Sequence, residues 1–481
     1  MKVYQTDVAV IGGGTAGLAA WREATRAGAQ ALLIEGGPYG TTCARVGCMP
    51  SKLLIAAAES ARNVRLASAF GVKASLNQID GQAVMRRVRS ERDRFVGFVL
   101  EGVEAIPAEQ RLQGYARFLN PHLLQVGEDI QIEAKTVVIA TGSSPSVPPL
   151  LQGLGDRLVD NEALFNWQNL PRSVAVFGAG IIGLELGQAL QQLGVRVHLF
   201  GARGGVAGLN DPAVKAEAIR LFSAEFPFQP DAQVESVTRT EQGVTVTYLS
   251  EEDLLLSEDF DCVLAATGRK PNLGNLGLEN LDLILNAQGV PHFDALTMQV
   301  GDLPVFLAGD VNSDRPLLHE AADEGRIAGH NAAMWPHIQP GHRRSPIAVV
   351  FTHPQVAMIG QRYDQLDLSC TAMGEVSFAN QGRSRVMLEN AGLLRIYADY
   401  RTRRLLGAEM IGPRAEHLAH LLAWAHQQQL TIDALLEMPF YHPVIEEGVR
   451  TALQATHKVL QAGPPKGCGD CALPELQDML A

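Results

Sequence analysis

The chain has 481 residues, too many for one ordinary core, so its length predicts two to four domains. It is 46% hydrophobic and 19% charged, a globular balance. The formal net charge of -12 and the lack of any Lys/Arg-dense segment argue against a general nucleic-acid surface. The N-terminus enters a strand without a secretory h-region and no apolar run is long enough to span a bilayer, so a cytoplasmic protein is expected. There are six cysteines. Four fall in two close pairs, 43/48 and 468/471, which reads as redox or metal usage and not as a disulfide framework.

The first element is a buried-strand run, Asp7 to Ile11, followed by Gly12-Gly13-Gly14-Thr15-Ala16-Gly17, a helical stretch, and a second strand, Ala31 to Ile34, ending in Glu35. Gly12, Gly14 and Gly17 permit a tight turn, close approach of a pyrophosphate to the helix N-terminus, and close helix-strand packing. Glu35 can accept hydrogen bonds from an adenosine ribose. Next comes the stretch Thr41 to Lys52, around which the rest of the chain is organised. Cys43 and Cys48 have four residues between them, with Pro50, Ser51 and Lys52 just after. With Ser51 as a helix cap, Cys48 lies just before the helix N-terminus, where partial positive charge favours a thiolate, and Cys43 reaches back from the preceding turn. A stabilising disulfide and a metal half-site are the alternatives; one needs an oxidising compartment, the other two more ligands.

A charged helix is expected from Asp80 to about Ile106, with Val84, Val88, Phe95 and Val99 for one face and Arg86, Arg87, Arg89, Arg92 and Arg94 on a solvated side. Val137 to Gly142 reads as a closing strand, and Ser143 to Pro149 as a linker. The opening motif then recurs: Ser173 to Phe177, Gly178-Ala179-Gly180-Ile181-Ile182-Gly183, a helix through Leu193, and the strand Val195 to Phe200. Two such units imply two dinucleotides. The second strand ends in Gly201-Ala202-Arg203, without the carboxylate that NAD ribose hydroxyls call for and with a guanidinium able to pair with a 2'-phosphate. Gly183 as third glycine is the commoner NAD form, so both coenzymes stay open.

Ala266 to Asn272 repeats the strand-to-Thr-Gly ending, and Val305 to Gly309 places Asp310 just after a buried strand, where it can bind a polyol or serve as a turn residue. The last segment alternates strands (Gly392 to Asp399, Leu405 to Ile411) with helices (Ala415 to Gln428, and one ending near Val459). Between those helices His442 is followed five residues on by Glu447, a candidate base with an orienting carboxylate. His353-Pro354 lacks the following acid and reads as a turn. His417, His420 and His426 have helical spacing without Cys or acidic neighbours, so no metal site is expected.

In this order the motifs resemble the FAD-dependent pyridine nucleotide-disulfide oxidoreductases, and the dihydrolipoyl dehydrogenases most of all, over nearly all of residues 1 to 460. The resemblance implies an α/β fold with two Rossmann-like dinucleotide-binding domains, for FAD and NAD(P), plus an α+β C-terminal dimerisation domain. The division expected is 1-150 for FAD, 151-272 for NAD(P), 273-343 as a return segment completing the FAD domain, 344-462 for dimerisation, and 463-481 as a tail. It implies that Cys43 is the interchange sulfur and Cys48 the sulfur against the flavin, that Lys52 pairs with Glu185 near the ring, that Asp310 holds the ribityl chain, and that Glu35 holds the adenosine ribose. Gly12, Gly14, Gly17, Thr42, Thr141 and Gly142 complete the FAD set; Gly178, Gly180, Gly183, Glu185, Arg203 and Gly268 form the NAD(P) set. His442 would act as base, oriented by Glu447, both supplied by the partner of a homodimer. The implied cycle oxidises dihydrolipoyl groups, on a carrier protein or as a small dithiol, and passes the electrons through FAD to a nicotinamide.

Three departures from the family pattern bear on substrate and coenzyme. Arg45 stands between the cysteines where the family has Asn, Glu446 adds a charge beside the base, and Gly201 replaces the expected acid. The tail, Gly463 to Cys471, begins with helix breakers and presents a flexible Cys468-x-x-Cys471 resembling in position the C-terminal pairs of mercuric and high-molecular-weight thioredoxin reductases. That makes an NADPH-dependent disulfide or mercuric-ion reductase, with this pair as relay, the second reading. A non-catalytic flavin-binding subunit is the third. Cys262 and Cys370 carry no assignment.

Overall fold

A computed structural model describes residues 2–250, 252–465 and 468. The chain opens with β1 (Lys2–Ile11), α1 (Thr15–Arg26), β2 (Ala31–Glu35), the short α2 (Thr42–Val46), α3 (Cys48–Leu66) and α4 (Gly81–Glu104). Strands β3 (Arg111–Gln113), β4 (Ala116–Asn120), β5 (Leu123–Val126) and β6 (Ile130–Ile139) follow. They form one sheet in the order β3-β2-β1-β6-β5-β4, parallel from β3 through β6 and antiparallel at β5 and β4. The apolar run of β1 is explained by burial on both faces. Val8 and Val10 pack with α1 on one side, while Ala9 and Ile11 pack with Phe118 and Leu124 on the other.

Asp80 caps α4, accepting a hydrogen bond from Ala83 N at 2.9 Å. The solvated-face expectation holds for Arg86, Arg87 and Arg94, which are exposed, but not for the other two arginines. Arg89 donates to Trp167 O, and Arg92 donates to Phe165 O at 3.3 Å and Asn166 Oδ1 at 2.9 Å. Their long side chains clamp α4 to the carbonyls of a loop at 165–167, a use that charge counting along a helix cannot detect. The expected linker is also partly structured. β7 (Ser143–Pro145) pairs antiparallel with a strand at 269–271, because the chain crosses between the first and second sheets there and the two passes satisfy each other's backbone.

The second body contains β8 (Leu158–Asp160), α5 (Asn161–Leu164), β9 (Ser173–Phe177), α6 (Ile181–Gln192), β10 (Arg196–Phe200), α7 (Pro212–Ser223), β11 (Phe228–Gln229), β12 (Val234–Arg239), β13 (Val244–Leu249), β14 (Leu255–Phe260), β15 (Cys262–Ala265) and β16 (Arg269–Pro271). Its parallel sheet runs β11-β10-β9-β15-β8, and the antiparallel trio β12-β13-β14 covers one face. The chain then returns to the first sheet: β17 (Val305–Leu307) pairs with Val137–Ile139 of β6, and α8 (Leu318–Met334) packs against α1.

The last body is an antiparallel sheet, β18-β19-β22-β21-β20, made from β18 (Ile347–Val350), β19 (Gln355–Gly360), β20 (Thr371–Ser377), β21 (Leu393–Asp399) and β22 (Leu405–Gly412). Helix α9 (Gly382–Met387) interrupts it, and α10 (Ala415–Gln427), α11 (Ile432–Leu436) and α12 (Glu447–Ala462) complete its core. A buried polar junction joins this sheet to the second body. Asp211, the cap of α7, is 0% exposed and accepts from Tyr397 Oη at 2.9 Å and Arg395 Nη1 at 3.2 Å. Glu409, also 0% exposed, accepts from the backbone amides of Asn210, Asp211 and Tyr363 at 2.8, 3.0 and 2.9 Å. Every oxygen there has a donor, which is what makes two buried carboxylates tolerable. Among the described residues no helix is long and apolar enough to cross a membrane.

Candidate active site

Two glycine turns of nearly identical shape hold the ends of β1 and β9 against the helices that follow. A Cβ on Gly17 would lie 1.8 Å from Gly12 O, and one on Gly183 the same 1.8 Å from Gly178 O, so helix and turn meet only because these positions lack side chains. The helix caps differ in purpose. Gly14 and Gly180 cap α1 and α6 without any side-chain acceptor, and a Cβ on either would meet nothing within 4 Å. Both helix N-termini therefore present free amides to an open space, the arrangement that binds a pyrophosphate.

The residues around the first turn fit the adenosine and ribityl portions of FAD. Glu35 accepts from Gly13 N and Gly37 N, both at 2.6 Å, which fixes its carboxylate beside the turn. Asp310 follows β17 and accepts from Ser143 Oγ at 3.0 Å. Ser143 is itself held by Arg269 through Nε at 2.9 Å and, at its carbonyl, Nη2 at 2.6 Å. Thr141 donates to Asn272 O at 2.7 Å and Asn272 Nδ2 returns to Thr141 O at 3.0 Å, leaving Gly142 (φ +69) open on its far side. Sequence reasoning missed Ser143, Arg269 and Asn272 as supports, since the contact that unites them is the strand crossing it read as a linker.

The dithiol sits between α2 and α3. Cys48 is the first residue of α3, capped by Gly47, and Ser51 lies within the first turn with its Oγ donating to Cys48 O at 3.0 Å. The expectation that Ser51 caps the helix is thus corrected: the cap is Gly47, four residues earlier, which places Cys48 inside the positive end and not before it. Lys52 is one turn further on. Its Nζ lies 2.8 and 2.9 Å from the two oxygens of Glu185 on α6, and Glu185, 4% exposed, also accepts from Phe351 N at 2.9 Å.

The two sulfurs are unlike. The Cys43 thiol donating to Cys48, helped by the Lys52 charge, lowers the Cys48 thiol from 9.0 to about 7 against the effect of burial. Cys43 is pushed up by that same hydrogen bond and by desolvation. Arg45 takes no part: its guanidinium donates back to Pro38 O at 3.3 Å, and the positive charge that acts on Cys48 is that of Lys52.

On α12, Glu447 places its carboxylate 3.0 and 3.1 Å from His442 Nδ1 and accepts from Val444 N at 3.2 Å. These two donors hold the Glu447 carboxyl below its usual range. This candidate pair is assembled within one chain, while the His442 side chain is 81% exposed and points outward. His353 is a different case, as expected from the missing acid. It is tied to α6 by its backbone, and burial with Arg62 and Arg414 nearby pushes its ring down to about 3.

At the second turn Gly268 (φ +102) is open beyond its Cα, whereas a Cβ on Gly201 would lie 2.5 Å from Pro230 O. No side chain fits there. Arg203 (φ 58) is exposed, and its backbone amide donates to Asp231 Oδ1 at 2.8 Å. Asp231 was not legible as a neighbour of this strand end, because it arrives from the turn after β11. Among the described residues no group of His, Cys, Asp and Glu is placed to hold a metal ion.

The chain is similar to known proteins over most of its length. Residues 6–325 match the pyridine nucleotide-disulphide oxidoreductase family, and residues 347–453 match the dimerisation domain of the same family. A dihydrolipoyl dehydrogenase of Cupriavidus necator is 30% identical over 94% of this chain and 98% of its own. A mercuric reductase of Shigella flexneri is also 30% identical, over 94% of this chain and 81% of its own. Among solved structures, LpdA from Mycobacterium tuberculosis shares the fold with a TM-score of 0.80 at 24% identity, covering 94% of this chain and 99% of that one.

Proposed function

The chain belongs to the pyridine nucleotide-disulphide oxidoreductase family, with FAD and a pyridine nucleotide as cofactors, and from that premise we propose that it oxidises dihydrolipoyl groups with NAD as acceptor. The observation that carries the reading is the asymmetry of the thiols: Cys48 is lowered to about 7 while Cys43 is held protonated as its donor. One sulfur is thereby prepared to stay as thiolate beside a ring, and the other to exchange with substrate.

Gly12, Gly14, Gly17, Glu35, Thr42, Lys52, Thr141, Gly142 and Asp310 would hold FAD, and the flavin when bound supplies the two-electron relay between thiols and nicotinamide. The rest of the work belongs to this chain. The substrate thiolate attacks Cys43 of the disulfide, the S–S bond breaks, and Cys48 leaves as a thiolate favoured by Lys52 and the α3 N-terminus. The second substrate thiol then attacks the mixed disulfide and releases Cys43 as a thiol. His442 of a partner subunit takes the proton of each substrate thiol in turn and returns one to Cys43, with Glu447 orienting the ring. The Lys52–Glu185 pair locks α3 to α6 between the two dinucleotide turns. Gly178, Gly180, Gly183, Glu185, Arg203 and Gly268 would line the nicotinamide coenzyme. A homodimer follows from this reading, supported by the match to the family's dimerisation domain and by the outward aim of His442.

A second reading, an NADPH-dependent disulfide or mercuric-ion reductase, is favoured by the strand end at Gly201, where an acid is sterically barred and Arg203 is exposed. Steady-state oxidation of dihydrolipoamide by the FAD-loaded protein, with NAD and NADP in parallel, separates the two. Turnover with NAD is expected. Negligible use of dihydrolipoamide, alongside NADPH-driven reduction of a disulfide or of Hg(II), would overturn the first reading in favour of the second.

A further inference from the structure

Away from Cys43 and Cys48, two more thiols meet. Cys370 directly precedes β20, the edge strand of the last sheet, and Cys468 lies beyond the end of α12; each is 2% exposed. They are 98 residues apart in sequence, yet Cys370 Sγ donates to Cys468 O at 3.4 Å. Backbone bonds hold both ends of the contact. Cys370 N donates to Asp367 O at 3.0 Å, Cys370 O accepts from Tyr400 N at 3.0 Å, and Cys468 N donates to Pro465 O at 3.4 Å. The Cys370 thiol also acts on its neighbour: Cys468 is pushed up to about 11, with the Cys370 thiol as the largest cause. This burial corrects the expectation of a freely presented Cys468. Cys471, its expected relay partner, lies outside the described residues.

A single buried thiol is inert and behaves as a small hydrophobe. The Cys370 thiol bonds the Cys468 side chain as well as its carbonyl, and a disulfide joins such thiols where their Cα atoms lie within about 7 Å. Neither has a part in the proposed reaction. We propose that Cys370 and Cys468 are a second disulfide site, formed on exposure to small disulfides, that fastens the segment after α12 to the edge of the same subunit's sheet.

The oxidant is a low-molecular-weight disulfide, RSSR. The Cys468 thiolate attacks one sulfur of RSSR, a protein–SR bond forms, and RS⁻ leaves to take up a proton. Cys370, as thiolate, then attacks the Cys468 sulfur and expels the second RSH. Two protein thiols lose two electrons and two protons, and one RSSR becomes two RSH. In the oxidised form Cys468 is no longer free to pair with Cys471.

The test uses the full-length, FAD-loaded protein, first reduced and desalted, then incubated with oxidised glutathione. Remaining thiols are blocked with iodoacetamide, and tryptic peptides are mapped without reduction. Oxidation of Cys43–Cys48 serves as internal control that the oxidant acted. The expected result is a cross-link between Cys370 and Cys468, at least tenfold more abundant than a Cys468–Cys471 loop, lost on reduction and absent from Cys370→Ser. The proposal is overturned if Cys43–Cys48 is oxidised while Cys370 remains alkylated, or if fragmentation places the Cys370 cross-link on Cys471. The wild-type map decides the matter even if Cys370→Ser does not fold.

Discussion

Cys43→Ala is the most direct probe of the dithiol, because it deletes the largest cause of the Cys48 shift and leaves Lys52 and the α3 N-terminus in place. Cys48 starts from about 7 against an ordinary 9.0, so the loss of one of these contributions should raise it by about one unit. At pH 7 the thiolate fraction then falls from about one half to about one tenth. The direction is that of a lowered acid: the reactive thiolate is present above the midpoint and is lost as pH falls through it. Iodoacetamide labelling of the Cys48 peptide in the reduced protein, followed over pH 5 to 10, should move its midpoint from about 7 to about 8 and slow about fivefold at pH 7. Cys43→Ser keeps a hydroxyl donor and should label with a midpoint near 7. If Cys43→Ala also stays near 7, the hydrogen bond is not what sets the thiolate, and the division of roles between the two sulfurs loses its basis.

Other outcomes follow from separate parts of the molecule. Glu447→Gln removes the carboxylate that orients His442; steady-state turnover should fall roughly tenfold to a hundredfold with flavin content and thermal midpoint unchanged, and unaltered turnover would refute the assignment. Arg203→Ala should raise KM for NADPH by roughly tenfold, the worth of one exposed charge-assisted contact, while leaving KM for NADH alone; equal effects on both coenzymes would count against a 2'-phosphate contact. Glu409→Ala strands the three backbone amides it serves in a dry junction. It should cost about 3 kcal/mol or more, read as a drop in the midpoint of thermal or denaturant unfolding, and Glu409→Gln should recover part of that loss.

The elements legible in the sequence are those whose signal is local. The runs Asp7 to Ile11 and Ser173 to Phe177 are apolar because both sheet faces are covered, and Gly17 and Gly183 after them are required because a Cβ there would lie 1.8 Å from a carbonyl of the same turn. Asp80 and its helix are legible for the same reason, since cap and first turn are adjacent in the chain. What escaped lies in contacts between distant segments. Arg89 and Arg92 look solvated until the loop at 165–167 is laid beside them. Ser143 to Pro145 looks like a linker until Arg269–Pro271 passes it, and Cys468 looks free until Cys370 is found 98 residues earlier. Ser51 misled for another reason. Serine favours caps by hydrogen-bonding backbone amides, but here its hydroxyl bonds the carbonyl of Cys48 instead, an option open to serine inside a first turn.

The contact of Gly201 with Pro230 couples two positions that coenzyme engineering would otherwise treat as independent. A library that varies residue 201 alone would test each acidic variant with a displaced turn, because the backbone after β11 must retreat before any side chain can enter. Changes of preference therefore have a required order: first a replacement or deletion that widens the Pro230 turn, then the acid. Until the turn opens, Arg203 and Asp231 are the positions through which selection can act.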